Sequence, residues 1–330
     1  MLPRACLARP VCYRIARSKP CEVARLPRIV SLIASATEIV AGLGLLDQLV
    51  GRSHECDWPE PVLALPKLTE AKFKVEGTSA EIDARVQEIV REGLSVYRVH
   101  ADDLKALDPQ VILTQDHCDV CAVSLKDVEE ATCTWTGKPV RIVSLRPDSL
   151  ADVYTDIARV ADALDAPHAG RDLIARMQAK FAVIRHSVQD KARPSVAFVE
   201  WVEPMMAGGN WMPELVEIAG GRNLFGIAGK RSDWMQWADL VAADPDVIVV
   251  APCGYDLPRC LQELELLRAK PEWRDLKAVR TGRVYFADGN AYFNRPGPRL
   301  AESAEMLADM LHATTSGSAM ALRAAWVSAT

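Results

Sequence analysis

A phrase of twelve residues occurs twice in this chain. Residues 103–114 read D-L-K-A-L-D-P-Q-V-I-L-T and residues 239–250 read D-L-V-A-A-D-P-D-V-I-V-V; seven of the twelve positions are identical and the copies lie 136 residues apart. Each copy predicts a short helix that ends on an Asp (Asp108, Asp244), held extended by the proline after it, with a buried β-branched strand following at once. That period is too long for a solenoid. It predicts two lobes of one architecture and therefore a cleft between them.

The 330 residues suffice for two domains of ordinary size. Lys and Arg number 39 against 44 Asp and Glu, a net charge of −5 with no dense basic cluster in the core region, so nucleic acid is not the expected partner. The longest apolar-looking stretch, Ile29 to Leu46, is interrupted by Ser31, Ser35, Thr37 and Glu38, and reads as strand then helix, not as a transmembrane segment. Residues 1–27 form a basic leader with Arg4, Arg9, Arg14, Arg17, Lys19 and Arg25 against Glu22. It holds no continuous apolar run of the kind a secretory signal needs. The expected location is therefore cytoplasmic, or periplasmic if the start codon is misassigned. The nine cysteines are read as reduced.

Strand and helix patterns alternate through residues 28–147, which predicts an N-terminal lobe on a parallel sheet. Residues 148–192 are helical in pattern, broken at Asp165-Ala166-Pro167. The piece from His168 to Asp190 would span about 35 Å as a stiff connector. A second α/β lobe is expected over 193–312 and a flexible, small-residue tail over 313–330. The predicted fold is thus α/β: two parallel-sheet lobes joined by a single long backbone helix.

Ligands of open α/β sheets lie beyond the carboxyl ends of the strands. The loops at those ends supply Trp58, Trp201, Met205, Met206, Trp211, Tyr255, Tyr292, Phe293 and Arg295, a set suited to a flat, largely apolar ligand. Any one of these aromatics could equally anchor a loop. His117, Cys118 and Cys121 are expected to face His54 and Cys56 across the cleft rim, where the five could bind zinc or iron or ligate a bound metal centre. Inert packing or a redox-active Cys118–Cys121 pair is the alternative. The Ser35-x-x-Glu38 spacing predicts that Glu38 caps its own helix, and Cys253 and Cys260 are expected to pack between strand and helix.

Four stretches in order, I-V-S-L-x-x-S-x-T-E from Ile29, the doubled D-L-x-A-x-D-P-x-V-I, E-I-A-G-G-R-N-L at 217–224 and N-R-P-G-P-R-L at 294–300, resemble the iron-chelate and cobalamin substrate-binding proteins of ABC importers, most of all the cobalamin branch. The resemblance implies two lobes on a backbone helix, aromatics flanking the ligand, and one acid per lobe docking on an ABC permease, at Asp102 or Asp103 and at Asp239. The aromatics of that branch's first lobe fall on Glu55 and Gln115 here, while Tyr292, Phe293 and Arg295 keep its pattern near the end of the chain. The implied function is non-catalytic: a monomer holding cobalamin or a related metal tetrapyrrole for transport or delivery, with Arg295 pairing a polar group on the ligand's edge. Two alternatives stay open. One is a cytoplasmic metal-binding or redox protein using Cys56, Cys118 and Cys121; the other is a siderophore or haem carrier. No Ser-His-Asp order, Walker loop or dinucleotide fingerprint points to an enzyme class.

Overall fold

The structure is a computed structural model that describes residues 27–91, 96–115, 128, 129, 132, 140–313 and 323–329. The first lobe runs β1 (Ile29–Ser31), α1 (Ala34–Gly42), β2 (Leu49–Arg52), β3 (Thr69–Ala71), α2 (Ser79–Arg91), β4 (Tyr97–Val99), α3 (Ala101–Ala106), β5 (Val111–Gln115) and β6 (Arg141–Leu145). Two linker helices follow, α4 (Leu150–Ala163) and α5 (Pro167–Val188). The second lobe comprises β7 (Ser195–Trp201), β8 (Met206–Ala207), α6 (Met212–Ile218), β9 (Arg222–Asn223), α7 (Trp237–Ala243), β10 (Val247–Val250), α8 (Leu257–Gln262), α9 (Leu264–Arg268), α10 (Lys277–Arg280), β11 (Val284–Ala287), α11 (Leu300–His312) and β12 (Trp326–Ser328).

The lobes carry separate sheets. The first has the order β2-β1-β5-β6 and is wholly parallel. The second has the order β12-β11-β10-β7-β8, with β9 also beside β7. Its central strands β11, β10 and β7 are parallel, whereas β12 and β8 run antiparallel at its edges. The strands of the repeated phrase occupy the same place in each lobe: β5 lies between β1 and β6, and β10 between β7 and β11.

The two Asp-Pro steps also match, though not in the expected conformation. Asp108 and Asp244 are left-handed, with φ of 43° and 38°, and are not extended. Each stops its helix as an αL residue, which Asp tolerates better than most side chains. The same unusual backbone at both sites is strong evidence that the lobes share one plan.

Alternation along the strands divides the core into three. Ile29, Val111 and Leu113 of the first sheet join Val196, Phe198, Val247 and Val249 of the second in one cluster with both linker helices and α11. Val30, Leu32 and Ile112 face the other way, as do Ala197, Val199, Ile248 and Val250, into two lobe-specific clusters. The shared cluster makes the α5 side of the molecule one continuous core. Phe181 of α5 is 1 % exposed there, a burial that contributes roughly 1.5–3 kcal/mol. Gly170 lets α5 lie against α4, because a Cβ at that position would stand 2.6 Å from Ala161 Cβ. The lobes therefore cannot separate on the α5 side without breaking packed core.

One boundary differs from expectation. The tail over 313–330 contains β12, paired to β11 with Trp326 edge-on to Tyr285 at 5.4 Å between ring centres. Helices α8 and α9 follow one another directly, divided at Glu263.

Candidate functional site

The carboxyl ends of the strands in both sheets meet at a cleft lined by Ile33, Ala34, Ser35, Glu55 and Gln115 from the first lobe. Glu200, Asn210, Trp211, Cys253, Gly254, Asn290, Asn294, Arg295 and Pro296 line it from the second. Each group follows a strand end or the Gly208-Gly209 turn, as open α/β sheets require. Gly226 allows that turn its shape: it has φ of 75°, and a Cβ there would stand 2.1 Å from Gly208 O. The cleft volume is about 100 Å³.

Arg295 organises the floor. Its guanidinium donates to Asp57 at 2.6 and 2.9 Å, to Glu38 Oε1 at 3.3 Å, to Asn290 Oδ1 at 3.0 Å and to the Glu55 carbonyl at 3.3 Å. Arg299 also reaches Glu38 at 3.4 Å, and it is sandwiched between Trp58 (4.9 Å) and Tyr292 (4.1 Å). Acids and Trp58 come from the first lobe, both guanidinium groups from the second. The cluster is an ionic seam between lobes.

This seam corrects several expectations. Arg295 is 5 % exposed and its charge is met by protein carboxylates, so it is not the free cation that pairs a ligand's edge. Glu38 does not cap α1; the residue preceding α1 is Ile33, without a side-chain cap, and Glu38 points across to the arginines. Trp58 and Tyr292 each turn a face to Arg299, and neither lines the cleft. Phe293 is fully buried against Phe198, and Trp211 donates its indole N–H to the Phe293 carbonyl at 2.9 Å while lining the cleft. Trp201 and Tyr255 pack on each other within the second lobe, ring centres 5.1 Å apart and tilted by 51°. Of the expected ligand-facing aromatics, Trp211 is the one brought to the cleft surface.

Electrostatics follow from burial. Desolvation pushes the Glu38 carboxyl up to about 7 against the pull of Arg295 and Arg299. Desolvation likewise raises Glu55 to about 7, although Arg295 and a hydrogen bond from Tyr97 Oη (3.3 Å) oppose it. Burial also works to raise Asp57, but its hydrogen bonds and charge contact with Arg295 prevail and hold it below the usual carboxylate range. Glu38 Oε2 and Ser35 Oγ, neighbours on α1, are buried without a hydrogen-bond partner, as is Asn210 Oδ1. Glu200 lines the second lobe's wall and accepts from Ser232 Oγ at 2.9 Å. The cleft surface is thus rich in acceptors and amides.

The expected metal set is not assembled among the described residues. His117, Cys118 and Cys121 lie outside them. Cys56 is sealed beneath α1, where Thr37 Oγ1 contacts its sulfur at 3.0 Å and burial pushes the thiol up to about 11, so it is a poor thiolate ligand. His54 holds Thr69 Oγ1 with Nδ1 at 2.7 Å. No group of three or more potential metal ligands occurs among the described residues. Cys260 packs between strand and helix as expected, whereas Cys253 lines the cleft. The acids expected to dock a partner, Asp102, Asp103 and Asp239, are exposed on the first turns of α3 and α7, the two helices of the repeated phrase.

Sequence reasoning missed Ser35, Glu200, Asn210 and Asn294 as lining residues. The signal was available for Ser35 and Glu200, which stand at strand ends. Nothing in the local sequence marks Asn210 or Asn294 beyond their place in irregular turns.

Two α/β lobes on a helical backbone, with a polar cleft between them, define a two-lobed solute-binding architecture. The chain belongs to the periplasmic binding protein family, whose pattern matches residues 29–291. An uncharacterised ABC transporter substrate-binding lipoprotein of Bacillus subtilis is 24% identical over 93% of this chain and 87% of its own length. A vitamin B12-binding protein of Vibrio vulnificus is 21% identical over 84% of this chain and 87% of its length. Among solved structures, the periplasmic heme-binding protein of Roseiflexus sp. RS-1 superposes with a TM-score of 0.64 at 24% identity, covering 88% of this chain and 99% of that one. The periplasmic vitamin B12 binding protein of Vibrio cholerae does so with a TM-score of 0.61 at 17% identity, covering 86% and 96%. The family is one of periplasmic binding proteins, the two solved relatives are periplasmic and the Bacillus subtilis relative is a lipoprotein, which overturns the expectation of a cytoplasmic location. Among the described residues no helix is long and apolar enough to cross a membrane.

Proposed function

We propose that this chain is the substrate-binding component of an ABC importer and that its ligand is a corrinoid, held in the interlobe cleft without chemical change. The observation that carries the choice of ligand is the charge of the cleft. Glu55 and Glu200 face it, Gln115 and Asn210 add amides, and Arg295 is neutralised by Asp57 and Glu38. A corrin edge bears neutral carboxamides, whose N–H groups suit carboxylate and amide acceptors. Haem propionates and ferric catecholate siderophores bring negative charge. They would meet Glu200, and Glu55 wherever it is ionised, with no unpaired cation among the described lining residues, and a like-charge encounter in a partly desolvated cleft is costly. Relatives that bind vitamin B12 support the reading from a second direction.

Charge reversal tests it. Cyanocobalamin should quench the tryptophan fluorescence of the wild-type chain saturably, and haemin should bind at least tenfold more weakly. Glu200→Lys should weaken cyanocobalamin binding about tenfold, or ~1.4 kcal/mol, and strengthen haemin binding. Tight haemin binding by the wild type, indifferent to this substitution, would reject the corrinoid reading.

Delivery would use the acids at the lobe tips. The double variant Asp103→Ala/Asp239→Ala should titrate cobalamin normally yet fail to support cobalamin uptake by cells that depend on this chain. Normal uptake by the double variant would remove those acids from the docking surface.

A further inference from the structure

One contact between the lobes lies apart from the ionic seam. From the end of β3 through the first turn of α2 the first lobe sends out the segment 72–82, which reaches α8 and α9 of the second. Ser79 Oγ donates to Glu263 Oε2 at 2.7 Å; Ser79 is fully buried and Glu263 is 1 % exposed. Arg259 binds the other Glu263 oxygen at 2.7 Å and donates to the Gly77 carbonyl at 2.7 Å. The same guanidinium lies over the Tyr255 ring at 4.1 Å, and that ring packs at a tilt against Trp201. Ile82 is buried in the second lobe's own cluster, and Phe73 packs against the clusters of both lobes.

The placement is what matters. The shared core, α5 and α11 hold the lobes together on one face of the two sheets. The segment joins the opposite faces, those of the lobe-specific clusters. With one side fixed by packed core, the cleft can widen only by parting the other. The cleft volume is about 100 Å³, whereas sites for drug-sized ligands occupy roughly 300–1,000 Å³, so a ligand of that size calls for widening.

We infer that residues 72–82 form a strap that gates the cleft, and that Ser79 and Gly77 must leave Glu263 and Arg259 before a ligand can pass. The strap reports on the cleft through its own root. It leaves β3, whose partner strand β4 carries Tyr97, and Tyr97 Oη holds the Glu55 carboxyl in the cleft wall at 3.3 Å. Trp201 and Tyr255 thereby serve as the seat on which Arg259 is held out to the strap. A capping box at the start of α2 keeps the strap's end rigid: Thr78 N–H donates to Glu81 Oε2 at 2.8 Å, and Glu81 N–H to Thr78 Oγ1 at 3.3 Å. The strap does not depend on which ligand the cleft takes.

Amide hydrogen exchange on the full chain tests this, with and without cyanocobalamin, in the wild type, Ser79→Ala and Arg259→Gln. In both variants, amides of residues 73–82 and of 259–263 should exchange about tenfold faster together, while those of α5 stay unchanged. Stopped-flow tryptophan quenching should show cyanocobalamin associating and dissociating several-fold faster, with a smaller change in affinity. Exchange that rises on one side of the contact only, or ligand rates equal to wild type, would overturn the strap. If neither variant folds, tryptic cleavage of the wild type at Lys72 and Lys74 decides: opening predicts cleavage that a bound ligand suppresses, and cleavage indifferent to a bound ligand would refute it. A chain that binds no corrinoid but shows the paired exchange would retain the strap and lose the corrinoid reading.

Discussion

Arg295 shows how a residue legible in the sequence can be assigned the wrong partner. Its place in N-R-P-G-P-R-L near a strand end correctly put it at the cleft. Sequence spacing could not reveal that Asp57 and Glu38, more than 200 positions away, would consume its charge. Removing one member of a buried ion group leaves its partners uncompensated, which typically costs 3–5 kcal/mol. Arg295→Ala should therefore lose about that much stability in urea unfolding, whereas a loss below ~1 kcal/mol would mean the seam is not held by charge. The seam also sets a pH dependence. Glu38 and Glu55 titrate near 7 in the folded chain, against an ordinary value of 4.5. Between about pH 5 and pH 7 the folded state keeps protons that the unfolded state has released, so these two groups make stability fall as pH rises. Their contribution is fully present below 4.5 and lost as pH passes through about 7. His54 and His312, depressed by burial, work the opposite way below 6.5, so the comparison must be made between variants. Glu38→Gln should show a less negative slope of unfolding free energy against pH in that window. Parallel curves for wild type and variant would contradict the assignment.

Among the elements, the sheets were the most readable part. Short β-branched runs at the expected spacing became β1, β5, β7 and β10 because alternate residues feed two apolar clusters, and such strands need nothing but burial to be specified. The direction of loop aromatics was not readable. Phe293 sits in a π-helical turn, Gly289–Phe293, that rotates it into the core beneath Trp211, and Trp58 and Tyr292 turn toward a cation whose position depends on α11. Hydrophobic character alone does not distinguish a ring facing a cleft from one clasping an arginine. The tail was misjudged for a related reason: Trp326 and Val327 are isolated among small residues, yet the exposed edge of β11 supplies the pairing that their local sequence does not advertise. A chain ending at residue 313 should melt a few degrees lower, having lost β12 and the Trp326–Tyr285 contact. An unchanged melting temperature would show that the edge strand adds no stability.

At the scale of the whole molecule, two lobes of like plan share one core along α5 and meet across a cleft whose walls are acidic and amide-bearing. The doubled Asp-Pro phrase predicted that plan because the two copies sit at equivalent strands and stop their helices with the same left-handed Asp. The cleft's character was not predicted with it, since it arises from residues scattered over several turns of both lobes. An acceptor-lined cleft with its arginine already paired should prefer a neutral, amide-fringed ring system to an anionic one. Equilibrium dialysis of the full chain against equimolar cyanocobalamin, haemin and a ferric catecholate siderophore tests that preference most directly. Retention of cyanocobalamin at one equivalent, with the two anionic ligands passing through, is the predicted result; retention of haemin or the siderophore in its place would contradict it.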